Sequence, residues 1–145
     1  MRFIKNLSIL LVTVMAFAGF NVQAADFVEK KIVLQVSDKM SHKKVLNVAT
    51  NIIKHYGKDQ VAVEIVAFGP GLGVLVANKK NKNLKKISAL ASDGVKFNAC
   101  GNTIRKVTKK GKGKAPKLHA SAKVVPAGVI RIIELQEQGY ALIKP

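Results

Sequence analysis

One local pattern, a stretch of helical period followed by a glycine and then an apolar run, occurs three times in this sequence. The three glycines are Gly57, Gly94 and Gly139. A glycine directly after the last periodic residue is a common helix terminator, and short apolar runs are typical of strands that are covered on both faces. Helices that alternate with buried strands indicate βα units, whose strands pair in parallel. The pattern therefore predicts an α/β domain.

The apolar runs and the periodic stretches alternate along the chain. The predicted strands are Lys31–Ser37, Val61–Phe68, Val95–Cys100, Lys123–Pro126 and Tyr140–Ile143. The predicted helices are Val45–Tyr56, Leu84–Ala91, Asn102–Lys110 and Val129–Leu135, with a short helical turn at Val74–Ala77. Because parallel strands are joined by helices that cross the faces of the sheet, we expect a single three-layer domain with a mainly parallel central sheet of about five strands.

The first 24 residues are predicted to be a signal peptide rather than part of this domain. Arg2 and Lys5 precede a short apolar run at Leu7–Phe20, and Val22 to Ala24 places small residues at a cleavage site. The run is shorter than the roughly 20 residues of a transmembrane helix, although an N-terminal membrane anchor is the alternative. We expect a mature domain at residues 25–145 in the periplasm, with no stable membrane anchor after cleavage.

The chain is strongly basic, with 25 Lys and Arg residues against 8 Asp and Glu residues and a formal net charge of +17. Such a charge attracts anionic partners. The lysines, however, are spread over helix faces and one loop at Gly111–Lys117, with few aromatic side chains for base stacking. This loop has the composition of a mobile segment. We interpret the charge first as a solvated surface and second as steering of small anions, and we expect no nucleic-acid partner.

Cys100 is the only cysteine of the chain, and it ends a predicted buried strand. A lone cysteine in an exported protein suggests an intermolecular disulfide or a reactive thiol. Open parallel sheets bind ligands at the carboxyl ends of their strands, and backbone N–H groups of a helix that starts after Cys100 lower the pKa of its thiol. The alternative is a cysteine that packs in the core as a small hydrophobic side chain.

The remaining motifs point away from cofactor and metal chemistry. The GPGLG segment at Gly69–Gly73 fits neither of the glycine-rich phosphate-binding spacings, so its glycines are interpreted as turn formers. The histidines, His42, His55 and His119, share no metal-ligand spacing, and only His42 is placed where it could approach a ligand. The few acidic residues give no carboxylate pair and no Ser-His-Asp group. We expect no metal and no cofactor.

Three segments in succession resemble the DsrE/DsrF-like family of sulfur-relay proteins. They are VAVEIVAFGPGL, GVKFNACGNT and VVPAGVIRIIELQEQGYALIKP, and the resemblance extends from about Lys31 to Pro145. It is closest to the exported branch of the family. The resemblance implies a compact α/β domain and homo- or hetero-oligomers, often trimers or hexamers. In sulfur-relay members a cysteine carries sulfur as a persulfide and passes it to a partner protein.

The resemblance also implies which residues form the site. The motif cysteine of the family corresponds to Cys100, which would be the catalytic residue. The implied binding residues are Gly69 and Gly71, from the loop after the second strand, and Gly101, Asn102 and Thr103, which follow the cysteine. The function that follows is a periplasmic sulfur carrier or sulfurtransferase-like protein, whose donor or acceptor is a protein or a small anionic sulfur compound. The alternative is a non-catalytic oligomeric binding module with a structural cysteine, and both hypotheses stay open at this point.

The predicted helix Val129–Leu135 is apolar at five of its seven positions. A helix that packs through one face needs fewer apolar positions. The excess is compatible with a subunit interface of the homo-oligomer, a trimer or a hexamer, or with deep burial inside the monomer.

Overall fold

The computed structural model of the protein describes residues 30–145, so the predicted signal peptide at 1–24 and the predicted domain start at 25 lie outside the described residues. The strands in this range are β1 Lys30–Val36, β2 Val61–Ala67, β3 Lys96–Cys100, β4 Ala122–Val125 and β5 Ala141–Ile143. The α-helices are α1 Ser41–Tyr56, α2 Leu84–Ser92, α3 Gly101–Lys110 and α4 Gly128–Glu137, and a 3₁₀ helix spans Gly69–Leu75. The predicted order of elements is confirmed.

The strands of the described range form one sheet in the order β4-β3-β2-β1-β5, and every neighbouring pair is parallel. The central pair runs in register from Lys30 opposite Val61 to Val36 opposite Ala67. The apolar composition of these two strands fits their position, because a central parallel strand is covered on both faces. The prediction of a mainly parallel five-stranded sheet is confirmed.

The strand order decides which face of the sheet each helix covers. From β1 to β4 the chain moves in one direction across the sheet, and it then returns to β5 at the opposite edge. Because β-helix-β connections are right-handed, the first three connections place their helices on one face and α4 lies on the other. Residues of α1, α2 and the 3₁₀ helix share one apolar cluster, against which Ile104 of α3 packs. Ile132 and Leu135 of α4 pack on the opposite face, which confirms three layers.

α4 covers only part of its face of the sheet. It packs over Val33 of β1 and Val66 of β2. A ten-residue helix is about 15 Å long and roughly 10 Å wide, whereas five strands about 4.8 Å apart span about 19 Å. On the uncovered side, Lys96 of β3 and Lys123 of β4 are exposed. The topology therefore leaves a groove between α4 and the β4 edge.

The ends of the helices agree with the glycine pattern. Gly57, Gly94 and Gly139 have φ angles of +85°, +90° and +86°, a left-handed conformation that favours glycine. α1 begins at Ser41, four residues before the apolar pattern starts at Val45, and the Asp38 carboxylate accepts the Ser41 backbone N–H at 2.8 Å, as a helix cap does. Hydrogen bonds from the Ser41 backbone and hydroxyl lower the pKa of Asp38.

The segment from 69 to 77 also differs from its prediction. The glycine-rich stretch forms a 3₁₀ helix over Gly69–Leu75 instead of a loop followed by a helical turn.

No helix in residues 30–145 has the length and apolar character needed to span a bilayer.

Candidate functional site

Cys100 lies at the carboxyl end of β3, between two helices that leave the sheet towards opposite faces. α3 begins at Gly101, directly after the cysteine, and α4 begins at Gly128, after β4. The last residue of β4, Val125, pairs with Cys100. In open α/β sheets, adjacent strands whose connections leave to opposite faces form the crevice in which ligands bind. The cysteine therefore occupies the crevice that this topology creates.

Groups from the first turns of both helices lower the pKa of the Cys100 thiol. Within residues 30–145 they are the Thr103 hydroxyl and the backbone N–H groups of Gly128, Thr103 and Asn102, the last of which donates to the Pro126 carbonyl oxygen at 3.2 Å. The Oγ1 atom of Thr103 accepts the backbone N–H of Gly69 at 2.9 Å, which leaves its own proton free to be donated to the sulfur. The cysteine side chain is buried, with 5% of its surface exposed. Donors and burial together form a small, enclosed site for an anionic sulfur.

The surroundings of Cys100 favour the thiolate over the thiol. Burial raises the pKa of the thiol, but the hydrogen bonds outweigh this effect, with the Thr103 hydroxyl and the Gly128 N–H contributing most, so the pKa lies below its ordinary value. The positive ends of two helix dipoles act in the same direction. Arg105, a basic neighbour in sequence, donates a hydrogen bond to the side-chain oxygen of Asn102.

Two glycines allow the helices to start this close to the cysteine. A Cβ atom at Gly128 would lie 3.2 Å from the Cβ atoms of both Cys100 and Phe68, and one at Gly101 would lie 3.0 Å from the carbonyl oxygen of Val125. Both distances are shorter than ordinary carbon contacts, which are about 3.5–4.0 Å. Gly128 was not among the predicted site residues, although the glycine at the end of the fourth predicted strand was the signal that could have identified it.

The structure brings most of the predicted site residues together. Asn102 and Thr103 act on the pKa of the Cys100 thiol, Gly69 donates its backbone N–H to the Thr103 hydroxyl, and Gly101 begins α3 directly after the cysteine. Gly71 stands apart from them. A Cβ atom there would lie 2.2 Å from the carbonyl oxygen of Val36, so this glycine lets the 3₁₀ helix pack on the end of β1.

Two histidines of the described range have hydrogen-bond partners. The Nε2 atom of His42 lies 3.3 Å from the Pro70 carbonyl oxygen. His119 accepts the Ser121 backbone N–H at Nδ1 and therefore donates from Nε2 to the Ser88 hydroxyl, 3.0 Å away. Residues 30–145 contain no group of three or more His, Cys, Asp or Glu side chains that could hold a metal ion.

The C-terminal end of the lysine-rich segment after α3 makes backbone contacts with the rest of the domain. The carbonyl oxygen of Lys117 accepts the Ala77 backbone N–H at 2.7 Å, and Leu118 forms an antiparallel bridge with Val76. Val76 and Ala77 directly follow the 3₁₀ helix and lie about 40 residues before their partners in the sequence. Sequence composition could not reveal such long-range pairing.

A buried ionic cluster on the α4 face was missed by the sequence analysis. Glu64 of β2 is only 2% exposed, and Nη2 of Arg131 lies 3.0 Å from each of its carboxylate oxygens. The side-chain amide of Asn98 donates to the same carboxylate at 2.8 Å. A single acidic residue inside an apolar strand is itself a signal, because a buried charge requires a partner. Spacing could not identify that partner, which lies 67 residues away on α4.

The uncovered side of this face forms a groove of about 710 Å³ between α4 and the edge of the sheet. We call it the α4–β4 groove and define it by Glu64, Lys96, Asn98, Lys123, Val125 and Ile130. Ala127, which precedes Gly128, also lines it, whereas Cys100 does not. The groove therefore reaches Val125, the strand partner of the cysteine, but not the cysteine itself.

Comparison with known proteins identifies the family. A family model described as the DsrE/DsrF-like family matches residues 30–145. The structure of a protein of unknown function, MTH1491 from Methanobacterium thermoautotrophicum, is similar with a TM-score of 0.65 and 28% sequence identity, over 81% of this chain and 100% of that chain. No curated protein matches the chain. The resemblance seen in three sequence segments is confirmed, and the chain belongs to the DsrE/DsrF-like family.

Proposed function

We propose that the protein is a sulfur carrier in which Cys100 holds sulfur as a persulfide and passes it to an acceptor. Membership of the DsrE/DsrF-like family supports a sulfur-relay-like role. The observation that carries the assignment to Cys100 is its position at the carboxyl end of β3, where α3 and α4 both begin and where groups of their first turns lower the pKa of the thiol. These donors stabilise a thiolate, which is the nucleophilic form of cysteine.

The donors serve both directions of a sulfur relay. During loading, the Cys100 thiolate attacks the outer sulfur of a donor, the donor S–S bond breaks, and the electron pair leaves on the donor's inner sulfur. During unloading, a nucleophile of the acceptor attacks the outer sulfur of the Cys100 persulfide, and Cys100 leaves as a thiolate. Because a thiol of low pKa is the better leaving group, the same hydrogen bonds favour release.

Sulfur loading of the purified protein tests this proposal. After incubation with polysulfide or thiosulfate, intact mass spectrometry is expected to show an added sulfur mass that dithiothreitol removes. No adduct with any donor would contradict the proposal. It would support the second candidate, a binding module with a structural cysteine, which the 5% exposure of Cys100 favours. In that case the thiol would react with iodoacetamide only after the protein is unfolded.

We further propose that the protein forms a homo-oligomer through the outer face of α4. Val129 and Ile133, one helical turn apart, are 54% and 46% exposed, and Leu142 of β5 is 40% exposed. Leu142 pairs with Val33, whose side chain packs under α4, so it lies on the same face of the sheet. Neighbouring exposed apolar side chains of this kind are typical of interaction surfaces. The partner is a second copy of this chain, because in a symmetric oligomer each subunit contributes the same surface to the interface.

Substitution of Ile133 with lysine is expected to convert the oligomer into a monomer, since a charge would be buried at the interface. Size-exclusion chromatography with light scattering measures the mass, and the family resemblance predicts a trimer or a hexamer for the native chain. Val107→Lys is the matched control, because Val107 is an exposed apolar residue of α3, at 41% exposure, away from this face. A native protein that is monomeric at all concentrations would contradict the proposal.

We also propose that the protein acts in the periplasm after export. The support is the sequence pattern of residues 1–24, with its basic start, short apolar run and small residues at the cleavage position. Expression of the full chain in a bacterial host is expected to give a periplasmic protein whose first residue is Ala25. A full-length protein retained in the cytosol, shown by N-terminal sequencing of the fractions, would contradict this location.

A further inference from the structure

We propose that Glu64 and Arg131 are positioning residues for the Cys100 site, and that their ion pair holds the start of α4 against the cysteine. The inference rests on the proposed function, because it adds two residues to the site of the sulfur carrier, although its test needs only the thiol. It is based on three features: the place of Arg131 in the first turn of α4, the attachment of Glu64 to two strands, and the contact of that turn with Cys100.

The first turn of α4 lies directly against the cysteine. A Cβ atom at Gly128, the first residue of α4, would lie 3.2 Å from the Cβ atom of Cys100. Burial raises the pKa of the thiol, and the Gly128 N–H is one of the groups that outweigh this effect. A backbone N–H acts in this way only at short distance and with suitable alignment. The position of the turn relative to β3 therefore affects the reactivity of Cys100.

Arg131 closes this turn. Its backbone N–H donates to the Ala127 carbonyl oxygen at 3.0 Å, which is the first hydrogen bond of the helical ladder. Arg131 lies three residues after Gly128, a rise of about 4.5 Å along the helix axis. Because a hydrogen-bonded turn moves as a unit, a contact that fixes the side chain of Arg131 also fixes the backbone of Gly128.

Glu64 connects the turn to the sheet. The Nη2 atom of Arg131 lies 3.0 Å from both carboxylate oxygens of Glu64, which belongs to β2 and is 2% exposed. The side-chain amide of Asn98 donates to the same carboxylate at 2.8 Å. Asn98 lies on β3, two residues before Cys100, so these two side chains are on one face of the sheet. The ion pair thus links α4 to β2 and, through Asn98, to the strand that ends with the thiol.

The apolar contacts of α4 fix its first turn less closely. Ile132 and Leu135 share a cluster with Val33 of β1 and Val66 of β2, and none of these four residues lies on β3. Apolar packing is also non-directional, whereas hydrogen bonds between charged groups have a defined geometry. The ion pair therefore supplies the directional contact on the side of the helix that faces Cys100.

The guanidinium of Arg131 keeps this position although one of its donors is unsatisfied. In the described part of the chain its Nε atom is buried and has no hydrogen-bond partner. A buried donor without an acceptor is unfavourable. The arrangement is maintained because the two hydrogen bonds to the Glu64 carboxylate outweigh this effect.

Three other titratable groups face the ion pair. Lys96 of β3 approaches Glu64 to 3.9 Å but is 72% exposed, and burial together with the charge of Glu64 raises the pKa of Tyr140. Glu134 lies 3.4 Å from Nη1 of Arg131 and belongs to the same helix. A contact within α4 cannot attach this helix to the sheet, so Glu134 provides a matched control for Glu64.

Thiol titration of matched variants tests the inference. The rate of Cys100 alkylation by iodoacetamide is measured against pH with the full chain. In Arg131→Met the midpoint should move to higher pH, and the rate at neutral pH should fall about threefold, because the Gly128 N–H loses its alignment and the more nucleophilic thiolate offsets part of the loss. Glu64→Gln removes the other half of the ion pair and should have the same effect. Glu134→Gln leaves the contact with Glu64 in place and should keep the native midpoint.

The direction of the shift separates position from charge. If only charge mattered, loss of the Arg131 cation would raise the thiol pKa and loss of the Glu64 anion would lower it. Loss of a positioned turn raises the pKa in both variants. Arg131→Lys keeps the charge without the planar guanidinium, so it should shift the midpoint in the same direction, and it remains informative if a neutral variant does not fold. Opposite shifts in the two neutral variants, or an unchanged midpoint in Arg131→Lys, would overturn the inference.

The outcomes also separate this inference from the proposed function. Alkylation needs no sulfur donor, so a common shift to higher pH would support the positioning role even if no donor loaded Cys100. Normal loading with unshifted midpoints would leave the sulfur carrier and remove the positioning role. NMR gives a direct measurement, in which the Gly128 amide resonance should follow the thiol titration in the native protein and follow it less in Arg131→Met. A native Gly128 resonance that ignores the titration would contradict the inference.

Discussion

Replacement of Cys100 with serine is expected to abolish sulfur loading completely, with every donor and at every pH. Cys100 is the only cysteine of the chain, so no second thiol can take over. A serine hydroxyl in the same position forms no persulfide and stays protonated in the accessible pH range. Intact mass spectrometry after incubation with polysulfide is the measurement, and the native chain should show a sulfur adduct that the variant lacks.

The controls for this experiment concern folding and specificity. Cys100→Ala is a second variant, because serine places a hydroxyl in a position that is 5% exposed and a buried hydroxyl is costly without a partner. Both variants should keep the circular dichroism spectrum of the native protein. A sulfur adduct that persists in both variants would show that sulfur adds elsewhere and would remove Cys100 from the proposed relay.

Substitution of Thr103 with valine is expected to slow the reaction of Cys100 at neutral pH by about three- to tenfold. Against the opposing effect of burial, the Thr103 hydroxyl contributes most to lowering the thiol pKa. A hydrogen bond to a charged group contributes about 1.5–3 kcal/mol, so its loss raises the thiol pKa and lowers the thiolate fraction by about ten- to a hundredfold. The thiolate that remains is more nucleophilic, which offsets roughly half of this loss on a logarithmic scale.

The pH dependence gives the sign of this effect. The rate of alkylation by iodoacetamide follows the thiolate, so in the native protein it should rise with pH and reach its midpoint below the ordinary thiol value of about 8.5. In Thr103→Val the midpoint should move to higher pH. At alkaline pH, where both proteins are fully ionised, the variant should react at least as fast, because nucleophilicity increases with thiol pKa.

Two further substitutions keep this prediction specific. Thr103→Ser retains the hydroxyl that accepts from Gly69 and donates to the sulfur, so it should restore the native midpoint. Thr108→Val changes a partly buried threonine later in the same helix and should leave the midpoint where it is. An unchanged midpoint in Thr103→Val would mean that the backbone N–H groups alone stabilise the thiolate.

The hydrogen-bonded site was only half predictable from the sequence. A cysteine that precedes a helix start receives backbone N–H groups from that helix, and the local pattern of Cys100 to Thr103 contains this information. The donor from Gly128 belongs to another helix, 28 residues later, and it reaches the sulfur because Val125 of β4 pairs with Cys100 of β3. Strand neighbours are a property of the topology, so this half of the site required the tertiary structure.

The α4–β4 groove was likewise only partly predictable from the sequence. Lys96, Asn98 and Cys100 share a face because strand side chains alternate, and this could be derived from the sequence. That the face is open was not predictable, since it follows from the return of the chain from β4 to β5, which leaves one helix on that side. The partnership of Glu64 with Arg131 likewise depends on where α4 lies.

The sequence by itself determined the alternation of helices and buried strands, the glycine at the end of three helices, and the position of the single cysteine at the end of a strand. These are local properties, because periodicity, chain reversal and helix termination depend on residues a few positions apart. The tertiary structure decided which strands are neighbours, and through them which second helix reaches the thiol and which face of the sheet stays open. Contacts between residues far apart in the chain depend on strand order and on the handedness of the connections, and no local pattern encodes them.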